Sequence, residues 1–173
     1  PRQFARRGHE ARRNQSGMSY WMARDMVRCF VGAGPNDTPA ETAAALRQAA
    51  KKLFGPRLAE VYPFISQLAE TPLEPDMQGA IRELSPAALR GRLHWAFAEW
   101  VRALCGRGPL ALVWEDLHWA DRSSLDLIET LLPLAAELPL VIFLVYRQTE
   151  GDMDTWCAVS YTHLRAHETD SYL

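Results

Sequence analysis

The stretch from Pro109 to Arg147 decides the fold and reads PLALVWEDLHWADRSSLDLIETLLPLAAELPLVIFLVYR. It opens on one apolar run, Leu110–Trp114, and closes on a second, Leu140–Tyr146, with a polar turn and an amphipathic segment between them. Apolar runs of this kind are typical of strands in a parallel sheet that helices cover on both faces. A crossover of this size between two such strands is right-handed and makes them parallel. The stretch therefore predicts an α/β fold in which a helix at Arg122–Glu137 connects two parallel strands.

Two acids, Glu115 and Asp116, follow the first predicted strand directly. Open α/β sheets bind their ligands at the carboxyl ends of the strands. One acid at such a place can hold Mg²⁺ through its water shell, while the next polarises a water molecule against a phosphate. Adjacent strand residues point to opposite sides, so the two acids cannot share one role. The pattern favours a metal-nucleotide site. The competing interpretation is that both acids only end the strand and bond nearby backbone amides.

Helices are predicted for most of the chain before this stretch. Cap residues followed by proline mark two helix starts, at Thr38-Pro39 and at Ser85-Pro86. Pro63 is expected to disturb or divide the helix that contains it, and Asp121 is expected to cap the crossover helix. The predicted helices cover Tyr20–Val31, Thr38–Leu53, Arg57–Glu70, Asp76–Leu84 and Ser85–Leu104.

Composition sets the broad class. The chain has 173 residues and is 48% hydrophobic, which is typical of a globular protein. Its net charge of −2 produces no long-range electrostatic attraction to nucleic acid or to a membrane. The three cysteines share no metal-ligand spacing and are expected to be free thiols in a reducing cytosol. The start of the chain, up to Arg13, is rich in arginine. A solvated segment and a DNA-binding arm are both compatible with it.

The stretch LALVWEDLHWADRSSLDLIETLLPLAAELPLVIFLVYR resembles the Walker B and sensor-1 region of the STAND class of AAA+-related P-loop ATPases. It looks most like the ATPase module of bacterial adenylate/guanylate cyclases and large LuxR-type regulators. SYWMARDMVRCF, YPFISQLAETPLEP and LSPAALRGRLHWAFAEWVRAL resemble helices of the same module. The resemblance covers about residues 19–150. It implies a partial P-loop NTPase fold, with helices followed by two parallel strands and their crossover helix.

The resemblance also implies roles for single residues. Glu115 takes the position of the acid that holds Mg²⁺ through water. Asp116 takes the adjacent position, where a carboxylate orients the attacking water. Arg147 matches the sensor-1 arginine that reads the γ-phosphate of ATP. Residues 118–121 match the signature turn, for which a structural role is expected.

The family's phosphate-binding loop is missing from the chain. The pattern G-x-x-x-x-G-K-[ST] needs a Gly-Lys pair, and neither Lys51 nor Lys52 follows a glycine. Because the chain opens on Pro1, we expect it to begin inside a longer reading frame whose upstream part carries that loop. Alone, the chain is expected to bind ATP poorly or not at all, and to expose sheet edges and apolar faces.

Three segments are expected along the chain. Residues 1–18 are interpreted as a divergent or unstructured edge, 19–150 as the partial ATPase domain and 151–173 as a tail outside the domain. The end of the tail, VSYTHLRAHET at 159–169, is similar to a translated transposase sequencing adapter. Residues 159–173 are therefore expected to be adapter-derived, and His163 and His167 are excluded as metal ligands.

Two functions follow from the sequence. The first is a piece of a cytoplasmic signal-transduction ATPase that binds ATP and Mg²⁺ and switches a covalently linked output domain, either a nucleotide cyclase or a helix-turn-helix. In this case neither direct nucleic-acid binding by this part nor a membrane is involved. The second is a non-enzymatic helical interaction module with a vestigial nucleotide-binding fold. An Arg-rich DNA-binding protein ranks behind both.

Overall fold

The structure of the chain, a computed structural model, describes the backbone of residues 3–7 and the whole of residues 20–146. Helices occupy most of the first hundred of these residues, and two strands follow them. In chain order the elements are β1 (Gln3–Arg7), α1 (Trp21–Phe30), α2 (Pro39–Phe54), α3 (Leu58–Leu68), α4 (Gly79–Arg82), α5 (Pro86–Cys105), β2 (Leu110–Trp114), α6 (Arg122–Leu131), α7 (Leu134–Glu137) and β3 (Leu140–Leu144).

Both predicted caps are confirmed. At the start of α2, Thr38 Oγ1 accepts a hydrogen bond from the Glu41 amide at 3.2 Å, and the Thr38 amide donates to Glu41 Oε2 at 2.8 Å. This reciprocal capping box satisfies two backbone donors that a helix start otherwise leaves unpaired. At the start of α5, Ser85 Oγ accepts from the Ala88 amide at 3.3 Å.

Two prolines act differently from the prediction. Pro63 was expected to disturb or divide its helix, but α3 runs unbroken from Leu58 to Leu68. A proline in this place removes one intrahelical bond, and the surrounding residues of α3 are buried, so packing holds the helix together. Pro133, in contrast, divides the crossover that was predicted as one helix, because its ring cannot continue α6. The bond from the Ala136 amide to the Pro133 carbonyl at 3.2 Å then starts the short α7.

Within the described residues, the sheet has three parallel strands in the order β1-β2-β3. The predicted parallel pairing of β2 with β3 is confirmed, with Leu110 opposite Leu140. β3 ends at Leu144, two residues earlier than predicted. β1 was not predicted, since residues 1–18 were interpreted as a divergent or unstructured edge. Its sequence, QFARR, lacks an apolar run, and the strand is defined by parallel pairing with β2.

The two faces of the sheet differ in burial. Leu110, Leu112 and Trp114 of β2 are buried in the core that the helices share. The alternate residues of the strands point to the other face. There Val141, Phe143 and Val145, which we call the exposed β3 row, keep 53%, 51% and 49% of their surface exposed. The prediction of an exposed apolar face is confirmed at these residues.

The core is mainly helical. The buried Trp100 of α5 packs its ring edge-to-face against Phe30 of α1, at 5.5 Å between centroids, and tilted against Phe54 of α2 at 5.9 Å. Such pairs contribute about 0.5–1.5 kcal/mol beyond their area burial. Among residues 20–146 and the β1 backbone, no helix is both long and apolar enough to cross a bilayer.

Candidate functional site

Glu115 and Asp116 leave the carboxyl end of β2, the central strand of the sheet. β2 alternates between buried and half-buried residues up to Trp114, and both acids are half-buried. The strand thus delivers the two carboxylates to the sheet edge where α/β folds bind ligands. The predicted position of the acid pair is confirmed.

The backbone turns sharply at Asp116. This residue adopts the left-handed conformation, with φ 58° and ψ 35°. Among residues other than glycine, aspartate and asparagine tolerate that region best. The turn starts a short 3₁₀ segment, Leu117–Trp119, in which the Trp119 amide donates to the Asp116 carbonyl at 2.9 Å. Leu117 is completely buried and anchors the segment in the core.

The neighbouring strand holds both ends of the acid pair through one residue. The Val145 amide donates to the Trp114 carbonyl at 2.8 Å, and the Val145 carbonyl accepts from the Leu117 amide at 3.1 Å. The ladder between β2 and β3 therefore continues across the two acids. The sequence does not indicate that Val145 belongs to the site, since Val145 holds the acid pair only through its backbone amide and carbonyl.

Arg147 lies outside the described residues. It comes two positions after Val145 in the chain. Its predicted role as the phosphate-reading arginine stays a prediction. The same holds for the Arg-rich start beyond the β1 backbone and for the tail from 151 to 173, including His163 and His167.

The two carboxylates at the end of β2 suit Mg²⁺ better than Zn²⁺. Within the described ranges, no three His, Cys, Asp or Glu side chains come together as a metal cage. Zn²⁺ takes three or four such ligands. Mg²⁺ keeps much of its water and binds through one or two carboxylates together with substrate phosphates. Glu115 and Asp116 fit that pattern.

The signature turn that follows the acids has distinct parts. The Nδ1 atom of His118 is buried without a hydrogen-bond partner, and its ring lies 5.1 Å from that of Trp119. Trp119 is 42% exposed. Asp121 caps α6 as predicted, accepting from the Ser124 amide at 3.1 Å. The structural role expected for the turn as a whole stays a prediction.

A family comparison agrees with this architecture. The AAA ATPase domain family matches residues 3–144 of the chain. The chain belongs to that family. The match begins at Gln3, the first residue of β1, so it includes a strand in the segment that the sequence interpretation treated as an edge. It ends at the last residue of β3.

A curated relative is much longer than this chain. Uncharacterized protein R02095 of Rhizobium meliloti (strain 1021) is 35% identical over 57 residues, which make up 33% of this chain and 6% of that protein. No solved structure matches. The coarse assignment as an AAA ATPase domain with a P-loop-like α/β fold thus rests on the family match and on the parallel sheet.

Proposed function

We propose that the chain is part of a STAND-type signalling ATPase, in which bound ATP acts as a conformational switch. The observation that carries the proposal is the acid pair at the carboxyl end of the central strand in an AAA ATPase domain. In this proposal β2 is the Walker B strand and β3 is the sensor-1 strand.

Each proposed site residue has one role. Glu115 holds Mg²⁺ through its water shell, and Asp116 orients the water that attacks the γ-phosphate of ATP. Arg147 reads the γ-phosphate. Bound Mg²⁺ supplies charge that neutralises the phosphates during transfer. The left-handed turn at Asp116 supports separate roles, because it sends the chain in a new direction directly after Glu115.

The phosphate-binding loop is proposed to lie in a segment that precedes this chain in the complete protein. The exposed β3 row supports this, since it presents three large apolar side chains on one sheet face. Contiguous apolar surface of this kind is typical of a surface that another segment covers. β3 is also the last strand in the order β1-β2-β3, so its outer edge is open for pairing within the described sheet.

The output of the switch is proposed to be a nucleotide cyclase or a DNA-binding helix-turn-helix on the same polypeptide, in the cytoplasm. Support for it is the likeness of EDLHWAD and the flanking helices to modules of those proteins. R02095 is compatible with such an arrangement, since its length leaves ample room for further domains.

The test is an ATPase assay on the complete module that includes the upstream segment. Asparagine also tolerates the left-handed region, so Asp116→Asn removes the charge without disturbing the turn. A positioned base contributes about 10²–10⁴-fold to a rate, and we expect Asp116→Asn to slow hydrolysis within that range. Glu137→Gln, which neutralises an exposed acid of α7, is the matched control. Equal rates for wild type and Asp116→Asn would remove Asp116 from the mechanism.

A non-enzymatic helical interaction module is the second candidate. The observation that favours it is the absence of any G-x-x-x-x-G-K-[ST] pattern from the chain. Genomic sequence upstream of the Pro1 codon, in the same reading frame, separates the two: a phosphate-binding loop there supports the ATPase, and its absence supports the interaction module.

A further inference from the structure

We infer that Asp121 is a positioning residue, which clamps the start of α1 to the start of α6 and thereby fixes the loop that carries Glu115 and Asp116. We call the set Tyr20, His94, Asp121 and Thr130 the α1–α6 clamp. Its link to ATP hydrolysis rests on the proposed function, whereas the clamp itself rests on the hydrogen bonds described below.

Asp121 makes more bonds than a helix cap needs. One carboxylate oxygen, Oδ2, accepts from the Ser124 amide at 3.1 Å and from the Tyr20 amide at 3.2 Å. The other, Oδ1, accepts from the Ser124 hydroxyl at 2.5 Å. The bond from Ser124 N–H alone satisfies the cap requirement. The bond from the Tyr20 amide joins two residues that lie 101 positions apart in the sequence. It links the start of α1 to the end of the loop from Glu115 to Asp121, which we call the acid-bearing loop.

Tyr20 is held in a conformation that aromatic residues rarely adopt. Its φ is 60°, in the left-handed region. In that conformation its amide points at Asp121 while its hydroxyl reaches His94 Nε2 at 3.2 Å. The Tyr20 and His94 rings also pack edge-to-face at 5.8 Å. Backbone outliers of this kind persist where the surroundings fix them, and they concentrate at functional sites.

His94 connects the two helices from the side of α5. Its Nδ1 lies 3.1 Å from Thr130 Oγ1, and the single hydroxyl proton of Thr130 is donated to the Asp126 carbonyl at 3.0 Å. Thr130 must therefore accept from Nδ1–H, which leaves Nε2 to accept from the Tyr20 hydroxyl. Burial lowers the pKa of His94; Arg90 lowers it further, and Asp126 acts in the opposite direction. The two hydrogen bonds of the His94 ring require a neutral imidazole, and this is the favoured form near neutral pH.

The clamp determines the position of the acids from the far end of their loop. The start of the loop is held by Val145, which bonds Trp114 and Leu117. Its end is held by Asp121. Catalytic groups must be held within about 0.5 Å of their productive geometry. Leu117 and Val145 hold the first half of the loop, and Asp121 holds its end.

Amide hydrogen exchange on the full chain tests the clamp. Asp121→Ala should speed exchange at the Trp119 and Ala120 amides about tenfold, the effect of losing a cap and one further bond. Asp121→Asn should restore slow exchange, because its amide oxygen can accept both backbone bonds. Ser85→Ala, which removes the corresponding cap of α5, should leave these two amides unchanged. Unchanged exchange in Asp121→Ala, or equal acceleration in Ser85→Ala, would overturn the inference.

A milder pair of variants decides the question if Asp121→Ala does not fold. Tyr20→Phe removes only the hydroxyl that bonds His94. It should speed exchange at Trp119 and Ala120 about threefold, in line with one net hydrogen bond. Tyr62→Phe is the matched control, because it removes a buried tyrosine hydroxyl from α3, which contributes no residue to the α1–α6 clamp. Identical exchange in the two variants would refute the clamp.

The complete module separates this inference from the proposed function. Asp121→Ala should lower kcat while leaving KM nearly unchanged, and Asp121→Asn should recover most of kcat. If wild type does not hydrolyse ATP, the proposed function fails and the exchange data still decide the clamp. If wild type is active and Asp121→Ala keeps its kcat, the positioning role is wrong although the function stands.

Discussion

Replacing Leu117 by alanine is the sharpest test of how the acid-bearing loop is anchored. Leu117 directly follows Asp116 and is 0% exposed. The substitution keeps the backbone amide, so the bond to the Val145 carbonyl is chemically preserved. Only the buried side chain is lost.

The expected cost follows from burial. Full burial of a leucine side chain contributes about 1.5–3 kcal/mol, and leucine-to-alanine changes in cores cost about 2–5 kcal/mol once the cavity is included. Leu117 belongs to a short 3₁₀ segment that can collapse in part, which places the expected loss of unfolding free energy at about 3 kcal/mol. Domains of this size are stable by about 5–15 kcal/mol, so the variant should remain folded but lose a large fraction of its margin.

Urea unfolding followed by circular dichroism measures this loss. With m-values of about 1–3 kcal/mol/M, the midpoint should fall by about 1–3 M at constant m. Leu53→Ala is the matched control, since Leu53 is half-buried in α2 and alanine favours the helix. It should cost about 1 kcal/mol or less. If Leu117→Ala costs no more than Leu53→Ala, the anchoring argument is wrong.

Three further outcomes are expected. Thr38→Ala should lower the unfolding free energy by about 1 kcal/mol in urea titrations, because it breaks the capping box with Glu41; a loss below the experimental error would contradict the box. Burial lowers the pKa of His94 below 6.5, so between the folded pKa and 6.5 the unfolded chain binds more protons and stability should fall as pH drops. His94→Gln should flatten this part of the profile, and an unchanged slope would exclude His94. The exposed β3 row should make the chain self-associate in gel filtration, and Phe143→Thr should reduce that association without lowering stability by more than about 0.5 kcal/mol; a monomeric wild type, or undiminished association in the variant, would contradict this.

The sequence predicts those parts of the fold that depend on local signals. The caps at Thr38 and Ser85 are read from a hydroxyl residue followed by proline. β2 and β3 are read from apolar runs between polar turns. β1 carries no such signal, because QFARR becomes a strand only by pairing with residues more than a hundred positions away. The prediction for Pro63 was wrong for a related reason. The residues on both sides of it in α3 are buried, and their packing outweighs the local penalty of a proline inside a helix.

The same division applies to the site. The position of Glu115 and Asp116 follows from one rule about strand ends. The contacts that hold them in place are tertiary: Val145 contributes only backbone groups, and Tyr20 reaches Asp121 across 101 positions. Periodicity predicted a helix from Tyr20, but α1 begins at Trp21, and Tyr20 lies half-buried before it in the left-handed conformation. The pattern says nothing about its amide or hydroxyl. A tyrosine just before a helix is too common a pattern to indicate a clamp.

The contacts that hold the acid-bearing loop bear on how the proposed switch could move. Ordering a loop on binding subtracts from affinity, at about 0.5–1.5 kcal/mol for each immobilised side chain. Here the contacts of Leu117, Val145 and the α1–α6 clamp already hold the loop within the fold, so ligand binding need not order it. A loop held in this way does not move independently of its neighbours when ATP is bound or hydrolysed. The movement must pass to elements that the loop touches, and α1 is bonded to it directly through Tyr20. In a switch built this way, a phosphate-dependent shift of the loop would displace α1 as a unit, because the Tyr20 amide follows the Asp121 carboxylate.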